Sequence, residues 1–291
     1  MPAAGKAVDT SHPTRLIGNG TAKSCTSSAV VRAVARGGII VFNCGRKHVT
    51  IRMTATMKIY NTHRVNVIDG RGKVTLDGGG KVRLFYQNAC DPDLVWTSSR
   101  CDLQTTPRTT IQNLTFRNGT SIGQKGEFGG GGAIYVRGGQ VNVINSGFFD
   151  NRCDTNGAAL RVIGTRAPVY VVRSTFMRGN CENGGGIGGL GASVTVLNSL
   201  FRDNSGTSTG GAIALDGNYM ELRIDGTKIT GSRAPGGSAI AYTSNDHTGI
   251  LRISHSYLVN GKDRYDTRPG VFFIGRPGGL QIDRYSTVKV R

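Results

Sequence analysis

Five residues have types and spacing that suggest anion chemistry: Lys58, Arg83, Tyr135, Arg137 and Arg161. An arginine can hold a carboxylate through two parallel hydrogen bonds, and a lysine offers a compact positive charge. A tyrosine set between arginines has its ionised form favoured, so it can accept a proton. Together these are the parts needed for β-elimination beside a carboxylate: a cation to neutralise it, a base for the adjacent proton, and an acid for the leaving oxygen. Tyr135 is the candidate base, Arg83 and Arg161 the neutralising cations, and Lys58 or Arg137 the alternative base. Tyr60, Phe85 and Lys125 are expected to add binding contacts. The competing reading of such a charged column is a solvated face with no ligand.

Whether these residues meet depends on the repeat that carries them. GGAIYVRGG from Gly131, NGAALRVIG from Asn156, NGGGIGGLG from Asn183, TGGAIALDG from Thr209 and GGSAIAYTS from Gly236 are variants of one segment. Each is followed by a second short apolar run and then a third, centred on Phe148, Phe176, Phe201, Ile229 and Leu258. Those centres are 28, 25, 28 and 29 residues apart. Three short strands cannot bury a face alone, whereas stacked copies can. The reading is all-β: a single-domain right-handed parallel β-helix, or solenoid.

Alternation along each strand assigns the sides. Ile134, Leu160, Ile187, Ile213 and Ile240 form one inward column, and Val141, Val169, Val194, Leu222 and Leu251 a second. Ser146, Ser174, Ser199, Thr227 and Ser256 form a column of small hydroxyls suited to hydrogen bonding along the stack. Extended backwards, the pattern pairs Val82 and Leu84 with Ile134 and Val136, and a further coil holds Met57, Ile59, Val65, Val67, Val74 and Leu76. That register puts Lys58, Arg83, Tyr135 and Arg161 in one outward column, with Tyr60, Phe85 and Arg137 in the next. The long segments 86–107 and 118–130 flank this face.

The segment 25–45 is expected to cap the N-terminal end, with a short helix and a strand between Ser27 and Phe42. Residues 1–24 are expected to be a flexible lead-in, residues 25–291 the solenoid, and 271–291 a less regular last coil. Six cysteines suggest an oxidising compartment, and spacing favours Cys25 with Cys44, Cys90 with Cys101, and Cys153 with Cys181. No apolar run is long enough to span a bilayer.

Charge narrows the partners. The chain has 36 Lys and Arg against 18 Asp and Glu, a formal net charge of +18. A field of that sign draws polyanions. Acidic polysaccharide fits better than nucleic acid, because the basic residues interleave poorly with aromatics and there is one tryptophan. No cofactor is expected. Calcium on Asp91, Asp93 and Asp102 is the metal alternative, against a solvated loop pinned by a disulfide. Asp69 and Asp77, each followed by glycine, read as turn residues in preference to an acid–base pair.

The GGAI and NSxF repeats, CTSSAVVRAVARGGIIVFNCG from Cys25 and VIDGRGKVTLDGGG from Val67 resemble secreted right-handed β-helix proteins of the pectate-lyase-like superfamily. The resemblance covers residues 25–290. It implies the fold, an extracellular location and a substrate cleft along the first sheet walled by long loops. It leaves activity open, since that superfamily holds lyases, hydrolases, epimerases and non-catalytic surface proteins. The hydrolase segments N-T-D, D-D, G-H-G and R-I-K are missing. The resulting expectation is a secreted, monomeric lyase of uronic-acid-containing polysaccharide, with a non-catalytic binder of anionic glycans as the alternative.

Overall fold

The computed structural model describes residues 2–124, 129–165, 167–261 and 269–290. It is an all-β, right-handed parallel solenoid of about 9 turns. Each complete turn supplies one strand to each of three parallel sheets, which have eight, ten and nine strands because the N-terminal end adds strands to the second and third only. The first sheet runs from Met57–Ile59 to Val271–Ile274, the second from Arg15–Ile17 to Leu280–Ile282, and the third from Val49–Arg52 to Thr287–Val290. An extra pair, Asn180–Asn183 with Ser205–Thr209, lengthens two turns.

Side-chain stacking holds the register. Ile134, Leu160, Ile187, Ile213 and Ile240 pair in sequence and are fully buried. On the third sheet Phe116, Phe148, Phe176 and Phe201 stack with ring centroids 5.1, 4.6 and 4.6 Å apart. Slipping one strand by a single residue would turn each ring outward, so this column locks the pairing. The hydroxyl column does what its residue types suggest. The backbone N–H groups of Ser146, Ser174, Ser199 and Thr227 donate to the side-chain oxygen of the next member, at 3.1–3.3 Å. Before each hydroxyl the chain turns through a left-handed residue: Asn145 (φ 47°), Arg173 (47°), Asn198 (50°), Gly226 (61°) and His255 (47°), and Asn113 (53°) makes the same turn one coil earlier, before Leu114. Asparagine accepts this conformation more readily than most residues, and Asn145 Nδ2 donates to Asn113 Oδ1 at 2.8 Å.

The N-terminal end is closed by the helix Ser27–Ala35, which buries Val30 and Val34 and is capped by the Thr26 hydroxyl accepting from Ala29 N–H. Cys25–Cys44 ties this cap to the strand Gly38–Phe42. Cys90–Cys101 closes the long loop after the strand Phe85–Asn88. Cys153–Cys181 joins adjacent turns across a Cα–Cα distance of 4.6 Å. The last coil keeps full register, Leu280 opposite Leu251 and Val288 opposite Leu258.

Three expectations need correction. The lead-in is docked, not loose. Val8 exchanges two hydrogen bonds with the Gln112 side chain, Thr10 Oγ1 donates to Asp69 at 2.7 Å, and Arg15–Ile17 extends the second sheet. Phe85, not Val82, pairs with Ile134, so Phe85 and Gln87 point inward and Phe85 is fully buried. One coil earlier Ile68 pairs with Ile111, so Asn66 and Ile68 face the interior and Val65 is exposed. The cause is the same in both coils: a polar residue occupies an interior position. Gln87 is satisfied there by Thr109 Oγ1, which donates to its carbonyl at 2.7 Å, and by the Pro107 carbonyl, which its amide reaches at 3.1 Å. Asn66 accepts from Gly38 N–H and donates to the His63 carbonyl. Fully paired amides are tolerated inside, and they break the apolar alternation from which sides are read.

Candidate functional site: a basic groove over the first sheet

The true register changes the outward column. It reads Lys58, Tyr86, Tyr135, Arg161, Gly188 along paired strands. Arg83 sits at the corner before its strand. Its Nε and Nη2 donate to the carbonyls of Gly131 and Gly130 at 3.1 and 2.9 Å, and its guanidinium lies 5.5 Å from the Tyr86 ring centroid and 4.9 Å from that of Tyr135. Lys58 Nζ stands 5.7 Å from the Tyr86 ring. The expected neighbours are therefore together, with Tyr86 in the place assigned to Arg83.

A groove of ≈ 440 Å³ opens over these residues. Lys58, Lys81, Arg83 and Tyr86 line it together with Asp91 and Asp93 from the disulfide-closed loop and Thr120 and Ile122 from the second flanking segment. Lys58 and Lys81 are exposed, whereas Arg83 is 6 % exposed. Burial makes the charged form of Arg83 costly and pulls its pKa down to about 10, against the favourable influence of Tyr135 and Tyr86. Tyr86 Oη donates to Asp91 Oδ2 at 3.0 Å and accepts from Asn88 Nδ2 at 2.8 Å. Burial raises the Tyr86 pKa, and the adjacent Asp91 carboxylate raises it further, so this phenol is neutral at physiological pH.

The other expected site residues are distributed differently. Tyr135 is fully buried, packed with Tyr86, Leu94 and Ile163 beneath the long loop. Its ring stacks on Tyr86 with centroids 5.2 Å apart. Closed off in this way, it is a foundation of the groove, not a base facing substrate. Arg161 is 7 % exposed; its Nε is buried with no hydrogen-bond partner, and Gly130 lies directly over its side chain. Arg137 is committed to Asp102, with Nε to Oδ1 at 2.7 Å and Nη2 to Oδ2 at 3.3 Å. Phe85 belongs to the core, a consequence of the register above. Tyr60 is 38 % exposed at the end of the Lys58 strand. Lys125 lies outside the described residues.

The three loop carboxylates do not converge as a calcium site would need. Asp102 is held by Arg137 and Asp91 by Tyr86. Among the described residues the group of metal-capable side chains is Cys90, Cys101 and Asp102, and both cysteines are in a disulfide. Asp69 and Asp77 serve as corner residues. Burial opposes the charge on Asp69, but hydrogen bonds from Thr10, Asn113, Gln112 and the Arg71 N–H outweigh it and hold the carboxylate below its ordinary range. Asp77 is treated alike by Arg117, Asn118 and the Gly79 N–H.

Sequence reasoning missed Lys81, Tyr86 and the groove-facing position of Ile122. Tyr86 was detectable in principle, since FYQN aligned on IYVR places tyrosine opposite Tyr135. In comparisons with family models, with curated proteins and with solved structures, nothing matches this chain.

Proposed function

We propose that this protein is secreted and binds acidic polysaccharide in the groove over its first sheet, with carboxylates of the ligand on Lys58, Lys81 and Arg83. The observation that carries this reading is Arg83. A guanidinium this buried, set over two tyrosine rings and lining a solvent-open groove, gains from an anion that restores what desolvation removed. Asp91 and Asp93, which also line the groove, suit the hydroxyls of a sugar. The net charge of +18 adds long-range attraction for a polyanion. Three disulfides fit an oxidising compartment outside the cell.

A second reading, cleavage by β-elimination, is favoured by the neutral phenol of Tyr86 between Lys58 and Asp91. Arg83 would neutralise the uronate carboxylate, and Lys58, in its uncharged amine form, would take the proton beside it. As the double bond forms, the glycosidic C–O bond breaks, and Tyr86 would give its proton to the departing oxygen. The experiment is a panel of polyuronides and glycosaminoglycans followed by calorimetry and by ultraviolet absorbance. Binding without new absorbance supports the binder, and absorbance from an unsaturated uronate supports the lyase. Failure of every acidic glycan to bind contradicts both.

A further inference from the structure

The chain has one tryptophan, and it stands in solvent: Trp96 is 57 % exposed. The loop that carries it is held from several sides. Leu94, two residues earlier, is buried against Tyr86, Tyr135 and Ile163. Asn61 N–H donates to the Leu94 carbonyl at 2.9 Å, and Asn61 Nδ2 donates to the Val95 carbonyl at 2.8 Å. On the other side Thr97 Oγ1 donates to the Ala89 carbonyl at 2.9 Å, and Cys90–Cys101 closes the loop.

Between these anchors Val95 has φ 70° and ψ 108°. Positive φ is disfavoured for any L-residue and most of all for a β-branched one. Strain of this sort persists only where the surroundings enforce it, and it concentrates at functional positions. Its geometric effect is to send the chain from a buried Leu94 to an exposed Trp96 within two residues.

The platform lies beside the basic groove. Asp91 and Asp93 of the same loop line the groove, and the bonds from Asn61 hold Leu94 and Val95, the residues just before Trp96, against the segment that follows Tyr60. Tyr60 is exposed two residues along the strand from Lys58, about 7 Å away. Two exposed aromatics, Trp96 and Tyr60, therefore stand on the segments that carry the groove residues Asp91, Asp93 and Lys58.

Resting on the glycan-binding reading above, we propose that Trp96, with Tyr60, is a preorganised stacking platform for a sugar ring of the acidic polysaccharide whose adjacent carboxylates sit on Lys58, Lys81 and Arg83. A pyranose has an apolar face that suits an indole, and its neighbours carry the charge the groove complements. A nucleic acid is the less suitable occupant. Asp91 and Asp93 would repel its phosphates while they can accept from sugar hydroxyls.

The lone tryptophan makes the test direct. The protein is titrated with oligogalacturonate, oligomannuronate, a hyaluronan oligosaccharide and a single-stranded oligonucleotide, with calorimetry and tryptophan fluorescence read on the same samples. A glycan that binds should shift or quench the emission of Trp96. Trp96→Ala should weaken that glycan about tenfold with unchanged salt dependence, and Trp96→Phe should recover part of the loss. Glycan binding with silent fluorescence, or a Trp96→Ala variant equal to the parent, overturns the platform and leaves the groove standing. An emission change with the oligonucleotide and with no glycan overturns the choice of ligand. No glycan bound by calorimetry overturns the groove reading and the platform together.

Discussion

Arg161 is the residue whose environment is least expected. A guanidinium placed in a β-helix wall is ordinarily a solvated surface charge, yet this one is 7 % exposed with its Nε unpartnered. Burial lowers its pKa, only partly countered by Tyr135. A buried charge without a full set of partners contributes little and often costs stability. Replacing Arg161 with methionine, which keeps length and apolar stem, should leave urea stability equal to the parent or raise it by about 1 kcal/mol. A loss greater than about 2 kcal/mol would mean that Arg161 is structurally paired and that its orphaned nitrogen is unimportant. Tyr135 carries the complementary lesson at this scale. Spacing correctly put it beside Arg161 and near Arg83, but spacing is silent on the loop that covers it. Leu94, some forty residues earlier in the chain, is what seals the ring.

At the scale of elements, the solenoid was legible wherever inward positions are apolar. The columns through Ile134, Val169 and Phe148 follow from alternation alone and pair as expected. The register failed in the two coils where Gln87 and Asn66 face inward, because alternation cannot tell a paired interior amide from a surface one. That slip exchanged Arg83 for Tyr86 and sent Phe85 to the wrong side. The groove survived the error because Arg83 folds back from the corner over the same tyrosines. The ring column is the element that fixes register most firmly. Phe176 contacts a ring on each side and is fully buried. Phe176→Ala should therefore cost about 3–5 kcal/mol in chemical denaturation. It should also increase amide exchange in the strands Gly147–Phe149 and Leu200–Arg202 on either side. A cost below about 1 kcal/mol would show that backbone pairing, not the stack, sets the register.

Across the whole molecule, general charge and local geometry make different contributions to anion binding. The excess of 36 basic over 18 acidic residues would attract any polyanion to any face, and such attraction fades as salt rises. The second sheet offers a comparison surface with its own outward arginines, Arg223 and Arg252, which are paired with Asp225 and Glu221. The groove differs in being lined by Lys58, Lys81 and a buried Arg83 together with the Tyr86 ring and two carboxylates. The most direct measurement of the central claim is the affinity for oligogalacturonate of two double variants carrying equal charge loss, Lys58→Ala with Lys81→Ala and Arg223→Ala with Arg252→Ala. The account predicts that the groove variant binds at least about tenfold more weakly while the second-sheet variant stays close to the parent. Equal weakening in both variants, or a larger loss in the second-sheet variant, would contradict a binding site over the first sheet.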